Sequence, residues 1–257
     1  MAGNDDKGTL RERSGSLVDG LAQTVISQVN GGAKYGTTRR LEAGTQLLLT
    51  AAIDRAPFNT RRVTTALTAL RLADDDVLAY CIPDAARALG QDWLNDQLSF
   101  AHVSTASARL FGLCKEFSRN WRPQYTDPGS CSVILATIGR EDHLVGPAVV
   151  TEQLRRQGHS VHMMLNADGP AILNRLRNVG NDAVFISCGS FRTLDLATKA
   201  IKTIKTAGVD LPVLLGGAIV GLDDKIERKT GADLVTNDID TALDTLARLQ
   251  LGQLGVG

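Results

Sequence analysis

One histidine, His143, stands in a polar stretch, "GREDHLVG" (residues 139–146), between an apolar run and an apolar-periodic one. An imidazole there can move a proton, ligate a metal, or do nothing beyond meeting solvent, the usual fate of a lone loop histidine. Glu141 and Asp142 precede it, and the stretch lacks the G-x-G-x-x-G spacing of a phosphate-binding loop. Zinc needs three or more protein ligands, and His159 and His162 fall on or near a later strand-like run, away from this loop. A metal held by its own macrocycle needs only one axial nitrogen. Ser187 ends the strand-like run "DAVFISC", where its hydroxyl could bond a buried heterocycle nitrogen. Gly216–Gly217 end the run "PVLLGG" and offer a slot without side chains for a flat ring.

The elements that must position these residues fall into two halves. Residues 1–15 read as a disordered arm. A helix runs from Ser16 through Leu17, Leu21, Val25 and Val29, and Gly31–Gly32 stop it. A second, capped by Thr37 or Thr38, carries Leu41, Leu47, Leu48 and Ile53; a third, from Asn59, carries Val63, Leu67 and Leu70. "ADDDVLAYCIPDAARALG" reads as a short helix, a turn at Pro83 and a helix stopped by Gly90. Residues 91–121 read as one longer helical stretch. The expectation is an all-α helical bundle over 16–121 and a linker over 122–130, where "RPQYTDPGS" is rich in breakers. From 131 to 257 five strand-like runs, "CSVILAT", "SVHMML", "DAVFISC", "PVLLGG" and "DLVT", alternate with amphipathic segments. That grammar predicts an α/β fold with a five-stranded parallel sheet of flavodoxin or Rossmann-like type. In such a sheet ligands bind beyond the carboxyl ends of the strands, at the switch in strand order. The loop carrying His143 leaves the first strand, so it belongs at that mouth.

Composition excludes several classes. With 28 basic and 28 acidic residues the chain lacks the basic excess of a nucleic-acid surface. No apolar run approaches the roughly 20 residues needed to span a bilayer. The N-terminus has no apolar core of a secretory leader. Cys81, Cys114, Cys131 and Cys188 show no C-x-x-C spacing and read as buried thiols in a reducing cytoplasm.

Glu141-x-His143-x-x-Gly146, Ser187-x-Gly189 and Gly216-Gly217, in this order, resemble the cobalamin-binding domain family, whose pattern is D-x-H-x-x-G, S-x-L and G-G. Glu141 stands where that pattern has aspartate, and Gly189 where it has leucine. The resemblance implies His143 as the lower cobalt ligand, oriented by Glu141 and Ser187, with Asp142 and Gly146 in the same loop. It implies the cofactor's nucleotide tail beside Gly189, Gly216 and Gly217, and cobalamin in its adenosyl, methyl or hydroxo form.

The preceding helical half is then a cap over the corrin. Trp93, Phe100 and His102 lie close in sequence. Core burial is the default for such aromatics. The alternative is similar to light-sensing cobalamin regulators, in which a cap tryptophan packs on the upper ligand; His102 is the candidate upper ligand there. The two-part organisation resembles the AerR/PpaA group of photosynthetic bacteria. That resemblance implies a non-enzymatic, light-responsive antirepressor contacting a PpsR/CrtJ-type repressor of photosynthesis genes, with light breaking the upper cobalt–carbon bond. No helix-turn-helix precedes the bundle, so autonomous DNA binding is not expected. Two rivals stay open: a corrinoid methyl carrier serving methyltransferases, and a haem-binding redox sensor using His143 or His102. The Ser187 and Gly216–Gly217 slot argues against haem, which has no tail to bury.

Overall fold

The computed structural model describes residues 33–120, 129–220 and 225–254, and the chain divides into two compact units at Trp121/Arg122. The expected disordered arm, the helix from Ser16 and most of the expected linker lie outside the described residues.

The first unit is helical. α1 (Ala33–Ile53) starts earlier than the Thr37/Thr38 cap suggested, and α2 (Thr60–Ala69) opens where Asn59 accepts the Arg62 N–H. The expected break at Pro83 is absent. A single turn, Asp74–Asp76, runs through a π-helical turn, Val77–Cys81, into α3 (Ile82–Leu94). Pro83 comes just after that π-helical turn. There the Ile82 N–H reaches back five residues to the Val77 carbonyl, and the wider turn accommodates a proline. Gly90 lies inside α3 rather than ending it. The expected long helix over 91–121 is instead two elements. Asn95 closes α3, Asp96 takes a left-handed φ of 56°, and α4 (Phe100–Asn120) begins afresh. A non-glycine residue in that region marks a turn, a signal the helical periodicity on either side obscured.

Ala106, Leu110, Leu113, Cys114 and Phe117 form the buried stripe of α4 at helical spacing. They share the unit's buried set with Leu47 and Leu48 of α1 and Leu67 of α2, and α4 packs against α1 and α3. Arg109 donates to the carbonyls of Ala52 (2.9 Å) and Ala56 (3.1 Å), satisfying groups freed where α1 ends.

The second unit is a five-stranded parallel sheet of order β2-β1-β3-β4-β5. Its strands are β1 (Ser132–Ile138), β2 (Ser160–Ala167), β3 (Ala183–Ser187), β4 (Val213–Gly216) and β5 (Leu234–Val235). Between and after them run α5 (Val145–Arg156), α6 (Gly169–Val179), α7 (Phe191–Thr206), α8 (Ile226–Thr230) and α9 (Ile239–Leu254).

The period-2 alternation of strand side chains separates two cores. Val133, Leu135, Phe185 and Leu214 pack with Leu154 of α5 and Leu246 of α9. Ile134, Val184, Ile186 and Leu215 pack with Ile172 of α6, Ile201 of α7 and Ile226 of α8. Both faces of β1, β3 and β4 are covered, which is why those strands read as continuous apolar runs, while the edge strand β2 is largely exposed. A fully buried aliphatic in either core contributes about 1.5–3 kcal/mol. Register pairs Thr137 with Ser187 and Ser187 with Gly216, so the carboxyl ends of β1, β3 and β4 lie level along one edge.

The three buried cysteines, Cys81, Cys114 and Cys188, are thiols, as is the half-buried Cys131. No described helix is long and apolar enough to cross a membrane.

Candidate functional site

β1 and β3 are neighbours while β2 lies on the other side of β1, so the strand order switches between them. Two loops leave the sheet there. The first begins at Gly139, whose φ of 64° turns the chain and whose N–H bonds the Ala167 carbonyl at 3.3 Å. A side chain at 139 would also strike Leu196, its Cβ 2.7 Å from a methyl carbon. The turn sends Glu141 inward and His143 outward: the acid side chain is 2 % exposed, the imidazole 59 %. The second loop, Cys188–Ser190, carries the chain from β3 into α7, and Thr193 in the first turn of α7 is buried.

Glu141 is where the loops meet. Its Oε1 accepts the His143 ring Nδ1 (2.5 Å) and the His143 backbone N–H (3.1 Å). Its Oε2 accepts the Gly189 backbone N–H (2.7 Å) and the Thr193 hydroxyl (3.0 Å). Four donors fill the lone-pair sites of an ionised carboxylate. Burial by itself pushes the carboxyl up; the donors, led by the His143 ring, outweigh it and hold Glu141 down to about 2. The His143 pKa is raised by the Glu141 hydrogen bond, against burial, with the charges of Glu141 and Asp142 adding to it.

An acceptor at Nδ1 that stays ionised fixes the neutral imidazole as the Nδ1–H tautomer. Nε2 is then left with a free lone pair. A carboxylate behind a histidine in this way orients the ring and raises its basicity toward a metal.

Ser187 is not among the Glu141 donors; the side-chain hydroxyl that bonds the acid is that of Thr193. Ser187 sits at the last position of β3, and the chain must turn through Cys188–Ser190 before a hydroxyl can reach back to the acid. The Ser187 side lines a cleft of about 110 Å³ on the sheet face between α5 and α9. Gly146, Gly216 and Gly217 line the same cleft, with Leu135 and Phe185 on its floor and Asn237 on its rim. Gly146 has open space where a Cβ would be.

The paired glycines also serve the backbone. A Cβ on Gly216 would meet the Thr236 carbonyl at 2.9 Å, and one on Gly217, whose φ is 104°, would strike the Cys188 carbonyl. Asn237 holds this turn, accepting the Gly217 N–H (2.7 Å) and donating to the Gly217 carbonyl (3.1 Å).

The other expected residues are placed as follows. Asp142 is exposed beside His143. Gly189 lies against the Glu141–His143 pair rather than in the cleft. His159 accepts the Cys131 N–H at the opposite, amino edge of the sheet. In the helical unit, Trp93 and Phe100 flank the 95–99 turn with ring centroids 6.5 Å apart, 45 % and 66 % exposed. They are therefore not core residues. His102 lies in the first turn of α4, its Nδ1 2.8 Å from the Ser99 hydroxyl.

Sequence reasoning missed Thr193 and Asn237. Both are small polar residues just past strand ends, and their roles depend on loop paths that periodicity does not encode.

Among the described residues no group of three His, Cys, Asp or Glu could hold a bare metal ion. One oriented imidazole beside a glycine-lined cleft suits a metal that brings its own equatorial ligands and has an appendage to bury. Residues 131–247 match the B12 binding domain family. An uncharacterized 20.5 kDa protein from the bchF-crtJ intergenic region of Rhodobacter capsulatus is 33 % identical over 176 residues, 66 % of this chain and 89 % of its own length. The fold is similar to that of the Methanosarcina barkeri monomethylamine corrinoid protein, with TM-score 0.62, 12 % identity, and 81 % of this chain and 96 % of that one covered. A cobalamin-binding protein from Desulfitobacterium hafniense aligns at TM-score 0.42 and 14 % identity, covering 90 % of this chain and 98 % of that one. The chain belongs to the B12-binding domain family, and its cofactor is cobalamin.

Proposed function

We propose that this chain is a light-responsive, cobalamin-dependent regulator that acts by contact with a CrtJ-type repressor rather than by turnover. The observation that carries this reading is the relative encoded between bchF and crtJ, which this chain matches over 89 % of that protein's length. A locus beside the repressor gene is what an antirepressor predicts and a methyl carrier does not.

The protein's own contribution is to bind and orient. Glu141, held by Thr193 and the Gly189 N–H, orients His143 so that its Nε2 would be the nitrogen to hold the cobalt. The cleft lined by Ser187, Gly146 and Gly216–Gly217 would hold the nucleotide tail. When bound, the corrin supplies a cobalt–carbon bond that light can break. The helical unit, which carries the exposed Trp93–Phe100 pair and His102, would present the output face.

The test is repressor release. Adenosylcobalamin-loaded full-length protein is added to a CrtJ-type repressor on its operator, and DNA release is followed by fluorescence anisotropy in darkness and after illumination. Release that changes with light and is lost in His143→Ala supports the proposal. Identical curves in both states overturn it.

A second reading, a methyl carrier, draws on the likeness of fold to a monomethylamine corrinoid protein. It predicts demethylation of bound methylcobalamin by a partner methyltransferase in darkness.

A further inference from the structure

Gly189 has no conformational reason to be glycine. Its backbone lies outside the left-handed region that the site's other turning glycines occupy, namely Gly139 at φ 64° and Gly217 at 104°. What it lacks is space. A Cβ built there would stand 2.5 Å from His143 Nδ1, 2.7 Å from Glu141 Oε1 and 2.7 Å from His143 Cγ. All three atoms belong to the Glu141–His143 pair. The same residue's N–H is the 2.7 Å donor to Glu141 Oε2.

We infer that Glu141 and Gly189 are a matched pair: the missing side chain at 189 admits the longer acid that positions His143. Glu141 reaches from one loop across to the second, and its carboxylate occupies the volume a side chain at 189 would fill. An aspartate at 141 would withdraw the carboxylate by one carbon–carbon bond, about 1.5 Å. It would then fall short of the Gly189 N–H and the Thr193 hydroxyl. An alanine at 189 would push against both by direct contact, turning the half-exposed imidazole outward while the acid, buried and held by its donors, cannot follow. A withdrawn aspartate makes the room that a Cβ at 189 needs, so the alanine does no further harm once the acid is short. Gly189 and Glu141 are thus positioning residues whose identities constrain each other.

The experiment is a double-mutant cycle on the full-length chain: wild type, Gly189→Ala, Glu141→Asp, and the double variant. The first readout needs no cofactor. The 15N resonances of the His143 imidazole report its tautomer and hydrogen bond. Each single variant loses the wild-type Nδ1–H pattern, and the double variant matches Glu141→Asp alone. The second readout is affinity for hydroxocobalamin. This arm rests on the proposed axial role of His143: each single change costs on the order of tenfold, the scale for disturbing a residue that orients a metal ligand. In the double variant the two losses do not add, and affinity equals that of Glu141→Asp alone.

The inference is overturned if Gly189→Ala leaves the His143 resonances as in wild type, or if the double variant is as impaired as the sum of the singles. Should Gly189→Ala fail to fold, a double variant that folds with His143 as in Glu141→Asp supports the pairing, and one that also fails to fold refutes it. Coupling in the imidazole resonances with no corrin retained by any form upholds the pair while removing the axial role.

Discussion

Replacing Glu141 by glutamine keeps the side chain's shape and removes its charge, which makes it the sharpest perturbation of the site. The carboxyl is held from an ordinary 4.5 down to about 2. At about 1.4 kcal/mol per tenfold, that difference is worth about 3 kcal/mol to the folded state. The side chain is 2 % exposed, so solvent screening takes little from this. Its sign follows from the depressed pKa. The contribution is complete above 4.5 and is lost as pH falls from there toward 2, because the unfolded chain binds the proton first. His143 works in the opposite sense. Its raised pKa adds stability that is complete below 6.5 and declines as pH rises through the folded value. The pair is therefore worth most between pH 4.5 and 6.5. Glutamine also turns an amide NH2 toward donors, leaving one of the Gly189, Thr193 or His143 groups unmatched. The assay is a urea titration of cofactor-free full-length protein at several pH values, followed on the amide resonances of β1 and β3 so that the unit holding Glu141 is read alone. A gap of about 3 kcal/mol at pH 5.5 moves the midpoint by roughly 1–2 M urea, and the gap narrows toward pH 3. A gap under about 1 kcal/mol at pH 5.5, or one that does not change with pH, refutes the reasoning.

Three further outcomes follow from the same geometry. Corrin binding through Nε2 requires that nitrogen unprotonated, so affinity for hydroxocobalamin falls about tenfold per pH unit below the raised His143 pKa; calorimetry from pH 5 to 8 checks this, and a constant Kd contradicts it. Gly146→Leu projects into open space in the cleft, so the cofactor-free protein changes by no more than about 0.5 kcal/mol while corrin retention on desalting is lost. Asn237→Ala removes two hydrogen bonds to the Gly217 backbone at a cost of about 1–3 kcal/mol, read as a lowered unfolding midpoint; an unchanged midpoint would show that the turn holds itself.

The strands were legible in the sequence because a parallel sheet covered by helices leaves apolar, β-branched runs separated by amphipathic segments, while their order came only with the structure. The place of the loop carrying Glu141 and His143 was legible for a different reason, since it leaves the carboxyl end of the first strand. The hidden parts were those set by loop path. Ser187 and Thr193 are both hydroxyl residues near the end of β3, and only the turn at Cys188–Ser190 decides which one faces the acid. Gly189 read as a neighbour of the nucleotide tail because its neighbours in space, Glu141 and His143, lie nearly fifty residues away in sequence. In the helical unit, the Pro83 and Gly90 signals misled because a proline placed after a π-helical turn and an interior glycine are both tolerated. The break at Asn95–Ser99 was masked by apolar periodicity on either side of it. Trp93 and Phe100 defied the rule that aromatics are buried, which composition alone could not have shown.

The central claim is that one imidazole, fixed by a buried carboxylate, is the protein's ligand to the corrin. It is tested most directly by the absorption spectrum of hydroxocobalamin carried through desalting with the wild-type protein and with His143→Ala. Wild type is predicted to retain the corrin with a histidine-ligated, base-off spectrum, and His143→Ala to lose that spectrum. The same spectrum in both proteins, or no retained corrin in wild type, would contradict the account.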